Sequence, residues 1–436
     1  MPRRIVIVGG GFAGAYCAQA LEREAGRAAV ETVLIDRHNY FVFYPLLVEA
    51  GTGSLEPRHV VVPIRSFLQS TSFRMGEVTG VDLERREVAY RAWTTRESRT
   101  LAYDHLVLAP GSVTRLPPVP GLREYGRGMK SLGDAVALRD RAVALLEAAD
   151  AESDPTRRRA LLHFVVVGSN FTGVEVAGEY QMFLRKAVRR YRNLVADDCR
   201  ITLVEIADRI LSTLDAGLAD YARRQLERRG IRIRLNDSVE QIRESDVRLR
   251  SGEVVPACTV IWCAGIAPSP LLDRLDLPRD DRGYVLCEPD LRVRGRDGVW
   301  AIGDAAVNPD AAGEPYPATA QHAVRQGIHL AGNLARLLAG ESPRPLDYRP
   351  KGEIVPLGCR SAVAEILGIK LAGFPAWWLY RTVYLSKMPG LSRKARVALD
   401  WTFDLVFPPD VVQLGVHREE WPDHRPPSAG RGGGQA

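Results

Sequence analysis

Ile5-Val6-Ile7-Val8-Gly9-Gly10-Gly11-Phe12-Ala13-Gly14, running into Ala15–Glu24, decides how this chain folds. Four β-branched residues stopped by glycines read as a short buried strand. The alternation-free stretch behind Gly14 reads as a helix. Strand, G-x-G-x-x-G and helix together form a phosphate cradle: the glycines let backbone approach a pyrophosphate, whose charge then lies at the helix N-terminus. A second strand, Thr32–Ile35, ends in Asp36 and Arg37, with Asp36 22 residues after Gly14. A carboxylate at that place suits the two hydroxyls of an adenosine ribose and repels a 2′-phosphate. The residues expected to line this first site are Gly9, Gly11, Phe12, Ala13, Gly14, Asp36 and Arg37. Taken alone, the glycines would also fit an ordinary turn; the strand, helix and acid around them favour dinucleotide binding. The two arginines ahead of Ile5 superficially suggest a signal peptide, but the apolar run is four residues long and no small-residue cleavage site follows.

The pattern occurs twice. Phe164–Val167 leads into Gly168-Ser-Asn170-Phe-Thr-Gly173 and a helix that begins Val174-Glu175-Val-Ala-Gly178-Glu179. Asn170 replaces the middle glycine. The following strand, Ile201–Val204, again ends in an acid, Glu205, which favours NAD(H) over NADP(H). Two sites for one mobile cofactor make a poor design, so the economical reading is a resident flavin visited by a nicotinamide. Three segments support it: the strand ending Ala109-Pro110-Gly111, its counterpart ending Cys263-Ala264-Gly265, and Gly298–Asp304. The last brings Gly303 and the Asp304 carboxylate to the end of a strand, within reach of a flavin's ribityl chain.

The whole chain has 436 residues, 46% of them hydrophobic and 26% charged, which calls for two or three domains rather than one core. No apolar run approaches the ~18 residues of a membrane span. The six cysteines are scattered, the pattern of a chain kept reduced. Cys258 and Cys263 are the nearest pair. On a strand they point to opposite faces, roughly 16 Å apart, whereas a disulfide needs Cα atoms within about 7 Å. The eight histidines make no clustered ligand set, so no metal is assigned.

The constellation Gly9/Gly11/Gly14, Asp36, Gly111, Gly168/Gly173, Glu205, Gly265 and Gly303-Asp304 resembles the two-dinucleotide-binding-domain flavoproteins over residues 4–330. Asp36–Leu47, the Gly173–Glu179 helix, Ala320-Gln321-His-Ala-Val-Arg325-Gln326 and the aromatic, basic C-terminal segment are similar to the type II NADH dehydrogenases. The resemblance implies an α/β fold with two Rossmann-like domains and a C-terminal membrane-docking region. It divides the chain into 1–118 (FAD domain, first part), 119–284 (NAD(H) domain), 285–345 (FAD domain, second part) and 346–421 (docking); the Pro/Gly-rich stretch 422–436 reads as a disordered tail. It implies FAD as cofactor, NADH as substrate and a membrane quinone as acceptor. Glu179 would lie near nicotinamide and flavin, and Gln321 beside the isoalloxazine. Arg325 departs from the family, which has a second glutamine there. Without the resemblance, Gln321 and Arg325 read as caps on a surface helix. A sulfide:quinone oxidoreductase-like enzyme is the alternative, needing two flavin-adjacent cysteines, and Asn170 with Arg325 leaves open a flavin-bound redox sensor of low turnover.

The net charge of +6 is local rather than global. Lys370–Phe403 carries six Lys/Arg against the single acid Asp400, and seven of its 34 residues are aromatic. Basic and aromatic residues interleaved over runs too short to span suit helices lying on an anionic lipid surface; a core or dimer-interface helix pair is the other reading, and a homodimer is compatible with both. The expected location is the cytoplasmic side of the cell membrane, with no nucleic-acid partner.

Overall fold

Residues 3–24, 30–310, 312–407 and 410–415 are described by the structure, a computed structural model. The proposed tail 422–436 lies outside them. The first glycine turn joins β1 (Arg3–Val8) to helix α1 (Phe12–Glu24), and β2 (Val30–Asp36) runs parallel to β1. The helix α2 (Leu47–Thr52) follows. Next, β3 (Ser72–Asp82) joins the sheet parallel to β2 and turns back through antiparallel β4 (Glu87–Ala92) and β5 (Ser98–Ala102). On the other side β6 (His105–Leu108) pairs with β1, and Val299–Ala301 closes that edge. Ile5 to Val8 are buried on both faces, which is why the run is continuous rather than alternating.

After β6 the chain leaves this sheet and builds another. It comprises β7 (Gly126–Arg127), helix α3 (Leu132–Ala151), β8 (His163–Val167), helix α4 (Phe171–Ala187), β9 (Arg200–Val204), β10 (Ile231–Arg234) and β11 (Thr259–Trp262). Its strands are all parallel, in the order β7-β11-β8-β9-β10. The chain then returns to the first sheet at Val299–Ala301. Helix α5 (Ala320–Leu338) packs directly on α1, and so closely that a Cβ on Gly327 would stand 2.3 Å from the Ala13 carbonyl oxygen.

The segment after residue 345, expected to be one docking region, divides in two. A three-stranded antiparallel sheet (Gly352–Gly358, Ser361–Ile366, Ile369–Gly373) lies against α4, with room for no side chain on Gly178, where a Cβ would stand 2.2 Å from the Leu357 carbonyl oxygen. Two helices follow, α6 (Phe374–Lys387) and α7 (Leu391–Val406). They are pinned to the first domain: Tyr380 donates its hydroxyl to the Pro45 carbonyl at 2.6 Å, and Asp400 accepts the Glu56 backbone N–H at 3.1 Å. Their aromatics split between two environments. Trp378 is 60% exposed, with Phe374 and Phe403 also outward, while Tyr380 and Trp401 are buried and Trp377 is partly so. The core reading therefore holds for the buried rings, and the outward ones are left free of the core. No described helix is long and apolar enough to cross a membrane.

Candidate active site

A cavity of about 1120 Å³ opens at the C-terminal end of the first sheet, the place where open α/β sheets bind ligands. It is larger than the roughly 300–1,000 Å³ of most small-molecule pockets. Gly9, Gly11, Phe12, Ala13, Asp36, Arg37, Gly111, Gly303, Asp304, Gln321 and Arg325 all line it, although they span more than 300 residues of sequence. Gly14 stands just behind, where a Cβ would meet the Gly9 carbonyl oxygen at 1.9 Å. Gly9 itself has φ +102°, a conformation glycine adopts without strain.

Polar side chains converge on this space from four directions. Asp36 accepts the Gly10 N–H at 2.6 Å and the His38 N–H at 2.7 Å, which fixes its carboxylate at the tip of β2. Asp304 accepts the Ser112 hydroxyl at 2.7 Å, and Lys130 reaches both, 2.9 Å from Ser112 Oγ and 3.6 Å from the carboxylate. Gln321 sits in the first turn of α5, behind the N-cap Thr319, so the positive end of that helix faces the cavity. Gln326, buried on α5, accepts the Gly303 N–H at 2.7 Å and ties the helix to the Gly-Asp turn. At the far end Arg325 lies over the Tyr348 ring, and Lys387 is held below its ordinary titration range by burial and then by Arg325 and Lys351.

The second glycine turn has the same frame. Gly168 has φ +93°, and a Cβ on Gly173 would meet the Gly168 carbonyl oxygen at 1.8 Å. Glu205 accepts the Ser169 N–H and hydroxyl, each at 2.6 Å, and the Ala207 N–H at 3.0 Å. Asn170 is more than a replaced glycine. Its side chain accepts the Gly173 N–H at 3.0 Å as the N-cap of α4 and donates to the Cys263 carbonyl at 2.8 Å. Gly168, Asn170, Gly173, Glu205 and Gly265 do not line the large cavity. Their motif enters it through Phe171, Thr172 and Glu175.

Glu179 does not line the cavity. It stands one turn beyond Glu175 on α4, buried behind the cavity wall, and Glu175 takes the lining position expected for it. The helix axis runs away from the cavity, so only the first turn reaches it. Burial, then Glu49 and Glu179, hold the Glu175 carboxyl well above the usual carboxylate range.

Comparison with known proteins bears directly on this arrangement. The model of the pyridine nucleotide-disulphide oxidoreductase family matches residues 3–327. Demethylphylloquinone reductase NdbB of Synechocystis is 33% identical, over 91% of this chain and 95% of the relative. Type II NADH:quinone oxidoreductase Ndh of Mycobacterium tuberculosis is 31% identical, over 92% of this chain and 87% of the relative. The chain belongs to the type II NADH:quinone oxidoreductases. The fold agrees: the structure of NDH2 from Plasmodium falciparum in complex with NADH superposes with a TM-score of 0.87, at 19% identity, covering 94% of this chain and all of that one.

For a type II family member, the absence of cysteine from the cavity lining is informative. None of the six cysteines lines it, all six are free thiols, and Cys287 is fully buried elsewhere. The flavin-adjacent cysteine pair required by the sulfide-oxidising alternative is therefore missing. Ser112, Lys130, Gln326 and Glu175 were not singled out from sequence. Glu175 had a signal there, in the Gly173-Val-Glu run itself, and Gln326 closes the Ala320–Gln326 run.

Proposed function

We infer that the protein is an FAD-dependent NADH:quinone oxidoreductase, passing the two electrons of NADH to a quinone. The carrying observation is the single cavity that joins the Gly9–Asp36 cradle, the Ser112–Asp304–Lys130 group, the α5 N-terminus and the entry from the second glycine turn. These residues fit FAD. An adenosine ribose matches Asp36, the pyrophosphate matches the Gly9–Gly11 backbone and the start of α1, and Asp304 supplies an acceptor for ribityl hydroxyls. Bound FAD supplies the two-electron chemistry between donor and acceptor. The chain positions and tunes: Glu205 takes the adenosine ribose of NADH, Gln321 and the α5 dipole favour negative charge at the cavity's inner end, and Arg325 and Lys387 offer N–H donors to the acceptor's carbonyl oxygens.

The exposed faces of α6 and α7, with Phe374, Trp378, Leu391, Leu399, Phe403 and Phe407 outward, support docking on an anionic lipid surface at the cytoplasmic face of the cell membrane. This would deliver a membrane quinone beside Tyr384 and Lys387, which belong both to α6 and to the cavity lining. The division of the chain into an interrupted FAD domain, an inserted NAD(H) domain and this docking pair follows from the same reading. Anaerobic addition of NADH to the flavin-loaded protein should bleach the flavin, and a soluble quinone should restore the colour. Failure to bleach excludes NADH as donor; bleaching without recovery excludes the quinone.

A further inference from the structure

Behind the cavity wall, where α2, α4, α6 and α7 meet, four carboxyl groups share a space with two cations. Glu175 faces the cavity. Glu179 lies one turn further on the same side of α4. Glu49 comes from α2, Asp404 from α7, Arg381 from α6 and Lys186 from the end of α4. Tyr380, Tyr384 and Cys263 are the other titratable groups facing the cluster. Exposure is least in the middle of the cluster. Glu49 and Glu179 are 7% and 8% exposed, and the side chains of Asp404 and Lys186, which pair at 3.6 Å, are 14% and 35% exposed. The cluster thus has one end at the cavity and the other at solvent.

Four carboxylates against two cations would bury two uncompensated negative charges, so the group retains at least one proton. Glu49 has a stabilising donor, the Trp401 indole N–H at 2.6 Å. Glu179 has no hydrogen-bond partner among the described residues. Burial, then Glu49 and Asp404, push its titration up to about 8, against the opposing pull of Arg381 and Lys186. As a fastening for α6 and α7 such a group is a costly choice, since apolar side chains would pack there without desolvation.

We propose that Glu179 and Glu49 form a proton reservoir for the acceptor reaction, filled from solvent past Lys186 and Asp404 and emptied into the cavity through Glu175. This rests on the NADH:quinone reading above. In NADH + quinone + H⁺ → NAD⁺ + quinol, the hydride brings two electrons and one proton, and the second proton must cross from solvent. The Glu175 O–H bond breaks as a quinol O–H bond forms; Glu175 then takes a proton from the Glu179–Glu49 group, which takes one from water. Glu175 touches the reacting space, whereas Glu49 and Glu179 act through it.

The test compares flavin-loaded wild type with Glu179→Gln and Glu49→Gln. Stopped-flow measurements follow reoxidation by a soluble quinone, which consumes protons, and by ferricyanide, which takes electrons alone. Both variants should be slowed by about tenfold with quinone and unchanged with ferricyanide and in the NADH step. The wild-type quinone rate should fall as pH rises through about 8, where Glu179 loses its proton, and Glu179→Gln should lose that inflection. A readout independent of turnover is the infrared band of a protonated carboxyl, titrated without NADH or quinone. The component of that band that disappears through the same pH range should be missing from Glu179→Gln and partly return in Glu179→Asp, while the contribution of Glu175 stays in every variant. Equal slowing with quinone and ferricyanide in both variants, or a band indifferent to Glu179, overturns the reservoir. A normal band in a wild-type protein that cannot reduce quinone overturns the NADH:quinone reading instead.

Discussion

The turn at Gly9–Gly14 and the turn at Gly168–Gly173 are the same backbone device set in different surroundings. Each has a glycine at positive φ, a later glycine pressed against its carbonyl oxygen, and a carboxylate at the tip of the next strand that accepts the second residue's N–H at 2.6 Å. They differ at the third motif position. Nothing lies within 4 Å of a Cβ on Gly11, so that space is left to a ligand, whereas Asn170 commits its side chain to capping α4 and bracing the Cys263 loop. They differ more in what surrounds them. The first turn opens into a cavity walled by α5, Tyr44 and the Ser112–Asp304–Lys130 group; the second contributes only its Phe171–Glu175 side to that cavity. The turn decides that a dinucleotide binds, and the surrounding walls decide whether it stays.

Substitutions at matched positions can break that comparison. Gly9→Ala should have the largest effect, because its Cβ would meet the Ala109 carbonyl oxygen at 2.1 Å in a conformation alanine rarely adopts. Purified Gly9→Ala should lose nearly all bound flavin, read as the ratio of flavin to protein absorbance; retention at the wild-type ratio would mean that the walls alone hold the cofactor. Glu205→Ala should keep its flavin yet raise KM for NADH about tenfold, equivalent to about 1.4 kcal/mol, and narrow the preference for NADH over NADPH in steady-state assays. A parallel loss of flavin would show that the two sites are not separable. The smallest effect is expected of Asn170→Ala, which removes the α4 cap at a cost of about 1 kcal/mol in denaturant unfolding. Gly11→Ala should leave that unfolding curve unchanged and weaken flavin binding, because its Cβ enters ligand space.

Legibility in the sequence followed the range of the interaction. Gly9, Gly14, Asp36 and Glu205 could be placed because strand, turn and helix are contiguous and their geometry is set by local sterics. Asp304 was legible from its Gly-Asp turn at a strand end. Glu175 and Glu179 were not distinguishable, since residues i and i+4 share a helix face and the angle between α4 and the cavity decides which of them reaches it. Ser112 and Lys130 carry no motif; they meet Asp304 only because β6, β7 and Val299–Ala301 end near one another. Trp377 and Trp378 are adjacent and alike in sequence. Only packing turned one toward Arg381, 4.2 Å from its ring, and left the other 60% exposed.

By itself the sequence determined two α/β nucleotide units, the order in which the chain visits them and the acid at the tip of the second strand of each. These depend on positive φ at glycine, on the burial of a β-branched strand and on a carboxylate at a fixed distance along the chain, all of them short-range. The tertiary structure alone decided that eleven residues drawn from positions 9 to 325 share one cavity, and that Glu49, Glu179, Arg381 and Asp404 meet behind its wall. Their meeting is set by the packing of α2, α4 and the α6–α7 pair, each more than 100 residues from the next, and the low dielectric of that contact raises the titration of Glu49 and Glu179.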